Sequence, residues 1–599
     1  MHYLSSLTIN NYRSCESLNI QLSTFTPLVG YNNAGKTNIL SAIQWLLKKS
    51  SLTESDFYNS QNPIEVSAEI KGIVDDVLQR MANTHKRSIE PYIQNEMLRI
   101  KRVQNTPNAK AADIRIKVYN FRTAKWIDNP TGIDNALKSL LPEPIRIGAM
   151  ENAEEDAAKA KTSTTIGKLL EKILTSVSEQ HSEQLNLSLD NVNNQINFDG
   201  GNRLAELANI DDGINTKIND FFPGLKIKLH FEIPDISNIF KNGTIKVFEN
   251  EIGRNLSCYG HGAQRSVQMA LIRKLAEINT EQTSVTTLLL IDEPELYLHP
   301  MAIEQLRAAL KNLSHNGYQV IFSTHSAQMI TADDAINTLL VRKPSTATIC
   351  LPRFHDAVNN LPDTTSQREL LFSLTNSSKI LFSEKVLLVE GTTENRLLPY
   401  IFEKISTKTL GQHKIALVSI GGTGNIKKAL SVLSEIGIPV KVIVDLDYAF
   451  KHACEHGYID AGNPDIPALK TILRQLEQDK EILLDSSGLP KKGELTKLDG
   501  NKKSITAAEA YQCLALHADA KQAIKCLHSI LKSQNIWLWE NGTIESHLGL
   551  SAKKEAAWAD YKHRLDSEPL TNVICDYDAL KNLTTWLIDD SFVEHTHPA

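Results

Sequence analysis

A chain of 599 residues exceeds what one hydrophobic core organises, so two or more domains are expected. Its 41% hydrophobic and 22% charged residues are those of an ordinary soluble globular protein, and no apolar run approaches the ~20 residues needed to cross a bilayer. A net charge of −6 excludes a wholly basic surface, so any nucleic-acid contact is confined to a local strip.

The first residues, MHYLSSLTINNYRSC, alternate like a strand and lack the basic and apolar regions of a signal peptide. Seven cysteines, with no CxxC pair, fit reduced thiols in the cytoplasm better than a zinc site or a disulfide frame. FTPLVG (25–30) is a short apolar strand, TNILSAIQWLLKK (37–49) a helix by its apolar spacing, and IEVSAEIKGIV (64–74) alternates again. Between 151 and 223 the texture turns to polar helices. Ile166, Leu169, Leu170, Ile173, Leu174 and Val177 fall at helical spacing, as do Leu204, Leu207, Ile210, Ile214 and Ile218. These stripes predict a helical insertion that needs a partner, either each other or a second copy of the chain. LKIKLHFEI (225–233) and TIKVFEN (244–250) are predicted strands joined through Asn242-Gly243. TLLLIDEPELYLHP (287–300) and YQVIFSTHS (318–326) carry two buried strands with a helix between. The pattern loosens around 350–384. KVLLVE (385–390), KIALVSI (414–420) and VKVIVDLD (440–447) then alternate with helical segments, which predicts a parallel sheet. The remainder, 448–599, reads as mixed and mostly helical.

Two sets of residues carry chemistry. GYNNAGKT (30–37) matches G-x-x-x-x-G-K-[ST] between a strand and a helix. Gly30, Asn33 and Gly35 shape a loop whose N–H groups cradle ATP phosphates; Lys36 reaches the β- and γ-phosphates and Thr37 ligates Mg2+. Asp292, ending an apolar strand, is expected in the Mg2+ shell, with Glu293 polarising the attacking water. His325, at the end of the next strand, is placed to sense the γ-phosphate. The second set is acidic. Ligand sites gather at the carboxyl ends of parallel strands. There Glu390 meets Asp445 and Asp447, which share a face if their strand continues. Three carboxylates held together call for a divalent ion, and hard oxygen ligands suit Mg2+ or Mn2+. Glu394 joins the cage or binds a second ion.

The first set resembles the ABC-type ATPase heads, including their RecF-like and SMC-like branch. That resemblance implies a signature segment reaching the γ-phosphate held by a second subunit. LSCYGHGAQRS (256–266) is the equivalent here, with Gly260 and Gly262 for close backbone approach, a helix from near Gln264, and Arg265 as a cation. It departs from the usual LSGGQ. The second set resembles the TOPRIM domain, whose pattern is a strand-terminal Glu-Gly followed by Asp-x-Asp. GGTGN (421–425) offers backbone N–H groups near the same edge.

Together the two resemble the OLD (overcoming lysogenisation defect) family of nucleases, which includes Gabija-type and retron-associated defence effectors. The resemblance implies an α/β chain. Residues 1–150 and 224–350 form the ATPase domain around a dimerising insertion at 151–223, then a linker (351–383) leads to a TOPRIM nuclease domain with a helical extension (384–599). It implies ATP and Mg2+ or Mn2+ as cofactors. Its expected partners are double-stranded DNA, a second or further copies of the chain, and a helicase-like protein or a reverse transcriptase with its RNA–DNA hybrid. No membrane is expected. Family members add a later D-x-E pair and a lysine. In WENGTIESHL (539–548) Glu545 aligns with the second acid, Thr543 stands where the first belongs, Glu540 is a substitute, and Lys553 or Lys554 is the lysine. PKKGELTKLDGNKKS (490–504) is a lysine-rich loop suited to DNA phosphates. The expected function is a metal-dependent endonuclease, gated by ATP, in anti-phage defence. A TOPRIM topoisomerase or primase, and an ATP-driven clamp with a degenerate acidic site, are the alternatives.

Overall fold

Alternating apolar residues set the N-terminal strands, as in Ile64–Lys71, where Ile64, Val66, Ala68 and Ile70 are buried and the residues between them are not. The computed structural model describes residues 1–141, 144–149, 165–197, 199–219, 224–232, 245–249, 251–278, 286–353, 356, 378–496, 502–550 and 553–589. The chain packs as two units. Met1–Leu28, Gly35–Asp334 and Lys343–Ile349 form the first, and Val29–Ala34, Ala335–Arg342 and Cys350–Ala599 the second. Among the described residues no helix is long and apolar enough to cross a membrane.

The first unit opens with β1 (Tyr3–Tyr12), β2 (Cys15–Gln21), β3 (Phe25–Val29), helix α1 (Lys36–Leu47), β4 (Ile64–Lys71), β5 (Leu98–Gln104), β6 (Ile116–Asn120) and β7 (Lys125–Asp128). Six of these strands make an antiparallel sheet in the order β2-β1-β4-β5-β6-β7. In a second sheet β8 (Ile145–Ile147) pairs parallel with β11 (Thr287–Asp292), and β11 with β12 (Tyr318–Thr324). Phe25 of β3 packs on Phe322 of β12, ring centroids 5.2 Å apart.

Within the expected insertion the described residues form α2 (Thr165–Ile196) and α3 (Ala205–Asn219). Leu169 of α2 joins the core with Met269, Ile272 and Leu275 of α4 (His261–Ile278). Farther along, Leu185, Leu187, Val192, Leu204 and Ile210 stay exposed. The strand predicted at 225–233 does not form in its described part, 225–232. Side chains have taken its ladder: Asn215 bonds both the N–H and the C=O of Ile227, Asp211 accepts from Leu229 N–H, and Asn197 does for Phe231 what Asn215 does for Ile227. The second predicted strand exists as β9 (Lys246–Glu249) but pairs forward with β10 (Ile252–Asn255), while Asn242-Gly243 lies outside the described residues. α5 (Pro300–His315) links β11 to β12, and β13 (Leu339–Arg342) and β14 (Ile349–Cys350) follow.

The second unit is built on a four-stranded, all-parallel sheet of β15 (Lys385–Val389), β16 (Ile415–Ser419), β17 (Val440–Val444) and β20 (Ile536–Leu538), ordered β16-β15-β17-β20. Between β17 and β20, β18 (Gly493–Thr496) and β19 (Lys502–Ile505) form a hairpin. Helices α6 (Thr392–Ser406) and α7 (Ile426–Ile436) connect the first three strands, and α8 (Asp447–Lys451) follows β17. The tail read as mostly helical thus supplies a strand of the sheet itself. Beyond it α9 (Ile544–Leu548), α10 (Glu555–Ser567) and α11 (Tyr577–Ile588) share one core with the sheet: Leu387, Ile443, Trp537, Trp539, Tyr561 and Leu583 are all buried in it. All seven cysteines are free thiols.

Candidate metal centre and nucleotide site

Register decides what the parallel sheet delivers. Val389 lies opposite both Ser419 and Ile443, and Val444 lies opposite Leu538, so the four strands end level. Glu390 follows Val389 and Asp445 follows Val444, at the same edge. The Glu390 carboxylate accepts the Asp445 backbone N–H. The strand does not continue through Asp447 as alternation supposed. It stops at Val444, and Asp447 is the first residue of α8, so a helical turn rather than a shared strand face carries it to the edge. Lys451, one turn on, donates to Asp447 Oδ2 at 2.7 Å.

Glu394 lies in the first turn of α6 and is buried. Its carboxylate folds back on Gly391: a Cβ there would stand 2.9 Å from Glu394 Oε2, so a side chain at 391 would push the carboxylate aside. Glu545, in the first turn of α9, accepts the Thr393 hydroxyl at 2.5 Å and Lys553 Nζ at 3.1 Å on the same oxygen. Lys553, not Lys554, is therefore the tail lysine against the acids; Lys554 caps α10. Thr543 is the N-cap residue of α9 and is buried, while Glu540 turns to His528, 3.7 Å away. His547 anchors this corner, its Nε2 accepting the Asn541 N–H at 3.1 Å while Nδ1 meets Asp576 at 2.8 Å. Thr393 and His547 carried no signal in the sequence, because each is ordinary in type and meaningful only through a partner 29 to 152 positions away.

The electrostatics of this edge are unfavourable without a cation. Burial first, then Asp447 and Glu394, push the Glu390 carboxyl up to about 7. Burial, with Glu545 beside it, does the same to Glu394, about 7. Burial and the charges of Glu394 and Glu390 hold Asp445 well above the usual carboxylate range. One oxygen each of Glu390, Asp445, Asp447 and Glu545 is buried with no hydrogen-bond partner. Four orphaned carboxylate oxygens at one edge match the donor set of a hard divalent ion.

A stability consequence follows. Glu390 and Glu394 keep protons in the folded chain that the unfolded chain releases near pH 4.5, so folding stability falls as pH rises from about 4.5 through about 7. Melts in EDTA at pH 5.5 and pH 8 are expected to differ by about 5 °C in favour of the acid side. Glu394→Gln should flatten that slope and Mg2+ should reverse it; a slope unchanged by both would disprove the account.

Of the residues expected to meet the nucleotide, Gly35, Lys36, Thr37, Asp292, Glu293 and His325 belong to the first unit, while Gly30 and Asn33 fall in the 29–34 segment of the second. Gly30 sits so near the Val341 carbonyl that a Cβ would stand 2.2 Å from it, and Asn33 (φ 68°) and Gly35 (φ 106°) take left-handed conformations that curl the loop into α1. Lys36 is buried, its Nζ 2.9 Å from His325 Nε2, and Thr37 is exposed in the first turn. Asp292 is buried, bonded to the Ser323 hydroxyl and, at 3.3 Å, to Arg146. Glu293 follows with φ 46°, a strained backbone held by Ser323, and its Oε1 lies 3.3 Å from His325 Nε2. Burial and Lys36 lower the proton affinity of His325. Lys36, Glu293 and His325 thus converge.

Arg265 departs from expectation. It is buried, donating to the carbonyls of Gly148, Asp292 and Glu293, and so braces the acidic turn instead of offering a cation outward. α4 begins at His261, earlier than predicted, with Gly260 just before its first turn and Gly262 within it. Sequence reasoning did not single out Glu295: half-buried, it accepts the Thr324 hydroxyl at 2.7 Å and the His325 N–H at 2.8 Å, which fixes the histidine. The repeated acid in DEPE was its only trace.

Known proteins resemble both halves of the chain. Residues 3–330 match the family model of an AAA ATPase domain, and residues 381–447 that of the TOPRIM domain of overcoming lysogenization defect protein-like proteins. The Old nuclease of Escherichia phage P2 is 39% identical over 596 residues, 98% of this chain and 99% of that one. The OLD nuclease of Thermus scotoductus is 22% identical over 464 residues, 74% of this chain and 82% of its own. Endonuclease GajA of Bacillus cereus is 24% identical over 480 residues, 75% of each chain.

Proposed function

The chain belongs to the OLD nuclease family, and we propose that it is a divalent-metal-dependent DNA endonuclease, gated by its ATPase domain and acting against phage. The observation that carries the reading is the set of four partnerless buried carboxylate oxygens, from Glu390, Asp445, Asp447 and Glu545, contributed by three separate stretches of chain. Glu390, Asp445 and Asp447 hold one Mg2+ or Mn2+; Glu394 and Glu545 serve a second. Bound there, the ions supply Lewis acidity to the scissile phosphate and lower the pKa of the attacking water. Thr393 orients Glu545, and Lys553 sets a positive charge where charge grows on the phosphorus oxygens.

Double-stranded DNA is the proposed substrate. The β18–β19 hairpin, with Lys502 and Lys503 exposed and Lys491 and Lys492 exposed just before it, offers phosphate contacts. In the nucleotide site, Gly30, Asn33, Gly35 and Lys36 bind the ATP phosphates, Thr37 and Asp292 hold Mg2+, Glu293 polarises water and His325 reports the γ-phosphate. Gly260 and Gly262 serve the nucleotide of a second copy. The exposed Leu185, Leu187, Val192, Leu204 and Ile210 support self-association through the helical insertion. A cytoplasmic setting accords with the seven free thiols.

Supercoiled plasmid incubated with the purified chain tests the reading. Nicked or linear product is expected with Mn2+ or Mg2+ and none with EDTA. Cleavage that persists in EDTA, or no cleavage with any divalent ion with or without ATP, would refute it.

A further inference from the structure

Beyond α8 lies a group of side chains that the acidic edge does not use. The chain there reads HACEH, His452 to His456. His452 N–H bonds to the Tyr448 carbonyl at 3.1 Å and His456 N–H to the His452 carbonyl at 2.8 Å, so helical turns continue past Lys451. Residues three and four apart then share a side. The donor atoms of His452, Glu455 and His456 all lie within 4.8 Å of one another. His452 Nδ1 is 3.5 Å from Glu455 Oε2, and the two imidazoles are nearly parallel, 16° between planes with centroids 5.5 Å apart. His456 Nδ1 is engaged by the hydroxyl of Tyr448 at 3.0 Å, and the Tyr448 side chain is fully buried. That leaves Nε2 of His456 as its free donor. An outer partner on the second ring nitrogen is how proteins fix the orientation and tautomer of a metal-bound histidine.

We propose that His452, Glu455 and His456 bind a zinc-class divalent transition ion, at a site separate from the acidic edge. Two imidazoles and one carboxylate are a Zn2+ donor set, with bonds of about 2.0–2.2 Å, whereas Mg2+ avoids nitrogen and keeps to oxygen. The two histidines are half-buried and Glu455 is exposed, so water completes the coordination. The letters H-x-x-E-H also occur in peptidases, where the histidines sit on a regular helix and the glutamate is the base. Here the glutamate oxygen is one of the three clustered donors, so the assignment is ion binding, not peptide hydrolysis. The position gives the ion a job. α8 begins at Asp447, and His452 caps its far end. An ion on His452, Glu455 and His456 fastens the end of the element whose first residue faces the acidic edge.

The test uses full-length chain without a polyhistidine tag, carrying Asp445→Asn to weaken the acidic edge, stripped with EDTA and then given Zn2+ or Co2+. One Zn2+ per chain is expected to survive gel filtration, and Co2+ should give visible d–d absorption. His452→Ala with His456→Ala should abolish both. Glu455→Gln, an exposed change that leaves the fold intact, should weaken binding about tenfold and keeps the test decisive if the double variant unfolds. Zn2+ content and Co2+ spectrum unchanged by these substitutions, or no uptake at micromolar Zn2+ before them, would overturn the site.

Discussion

Asp445→Asn lowers metal-dependent DNA cleavage by about 10³-fold or more, with ATP hydrolysis near the wild-type rate. The substitution keeps size and shape but turns a charged ligand into an amide. Asp445 is held well above the usual carboxylate range by burial and by Glu394 and Glu390, and its Oδ1 has no hydrogen-bond partner. Such an oxygen is costly to the fold unless an ion meets it. Losing a ligand in direct contact with a catalytic ion costs more than the 10- to 100-fold seen for outer partners. The same change should raise the melting temperature in EDTA by a few degrees, since an amide needs neither the proton uptake nor the buried charge that folding imposes on Asp445. Rising stability together with falling cleavage separates a functional acid from a structural one. Plasmid cleavage within tenfold of wild type would remove Asp445 from the proposal.

Lys36→Ala lowers ATP hydrolysis by roughly 10²-fold, by removing a charge-assisted contact to the phosphates worth about 2–3 kcal/mol. Lys36 lies 2.9 Å from His325, which in turn lies 3.3 Å from Glu293, so the substitution also frees the histidine from a neighbouring ammonium. The proton affinity of His325, now lowered by burial and by Lys36, should rise, and an NMR titration of its ring reads that directly. If the ATPase domain gates cleavage, plasmid cutting by this variant no longer responds to ATP. Cleavage rates identical to wild type with and without ATP would mean no gate exists.

Much of the architecture was legible because apolar strands followed by acids are rare outside functional edges. KVLLVE, VKVIVDLD and LLLIDEPE each place a carboxylate directly after buried strand residues. What failed to show depended on distant partners. NIWLW, the source of β20, is three residues of strand in a tail of helices, and only its pairing with β17 declares it. LKIKLHFEI alternates well yet forms no strand in its described part, because Asn197, Asp211 and Asn215 supply bonds that a neighbouring strand would have supplied. The two aspartates of DLD reach one edge, but through a helix start that period-two reasoning could not foresee. Arg265 looked like an outward cation until burial turned it onto three carbonyls.

The order in which the acidic edge is completed matters to a cell that makes this protein. Glu545 and Lys553 come from the last tenth of the chain, and β20, which brings them in, cannot pair with β17 until residue 538 has been synthesised. A ribosome therefore exposes the Gly30–Thr37 loop and Glu390 long before Glu545 and Lys553 exist. A chain released before that point lacks Glu545, Lys553 and the β20 pairing, so the acidic edge is incomplete in it.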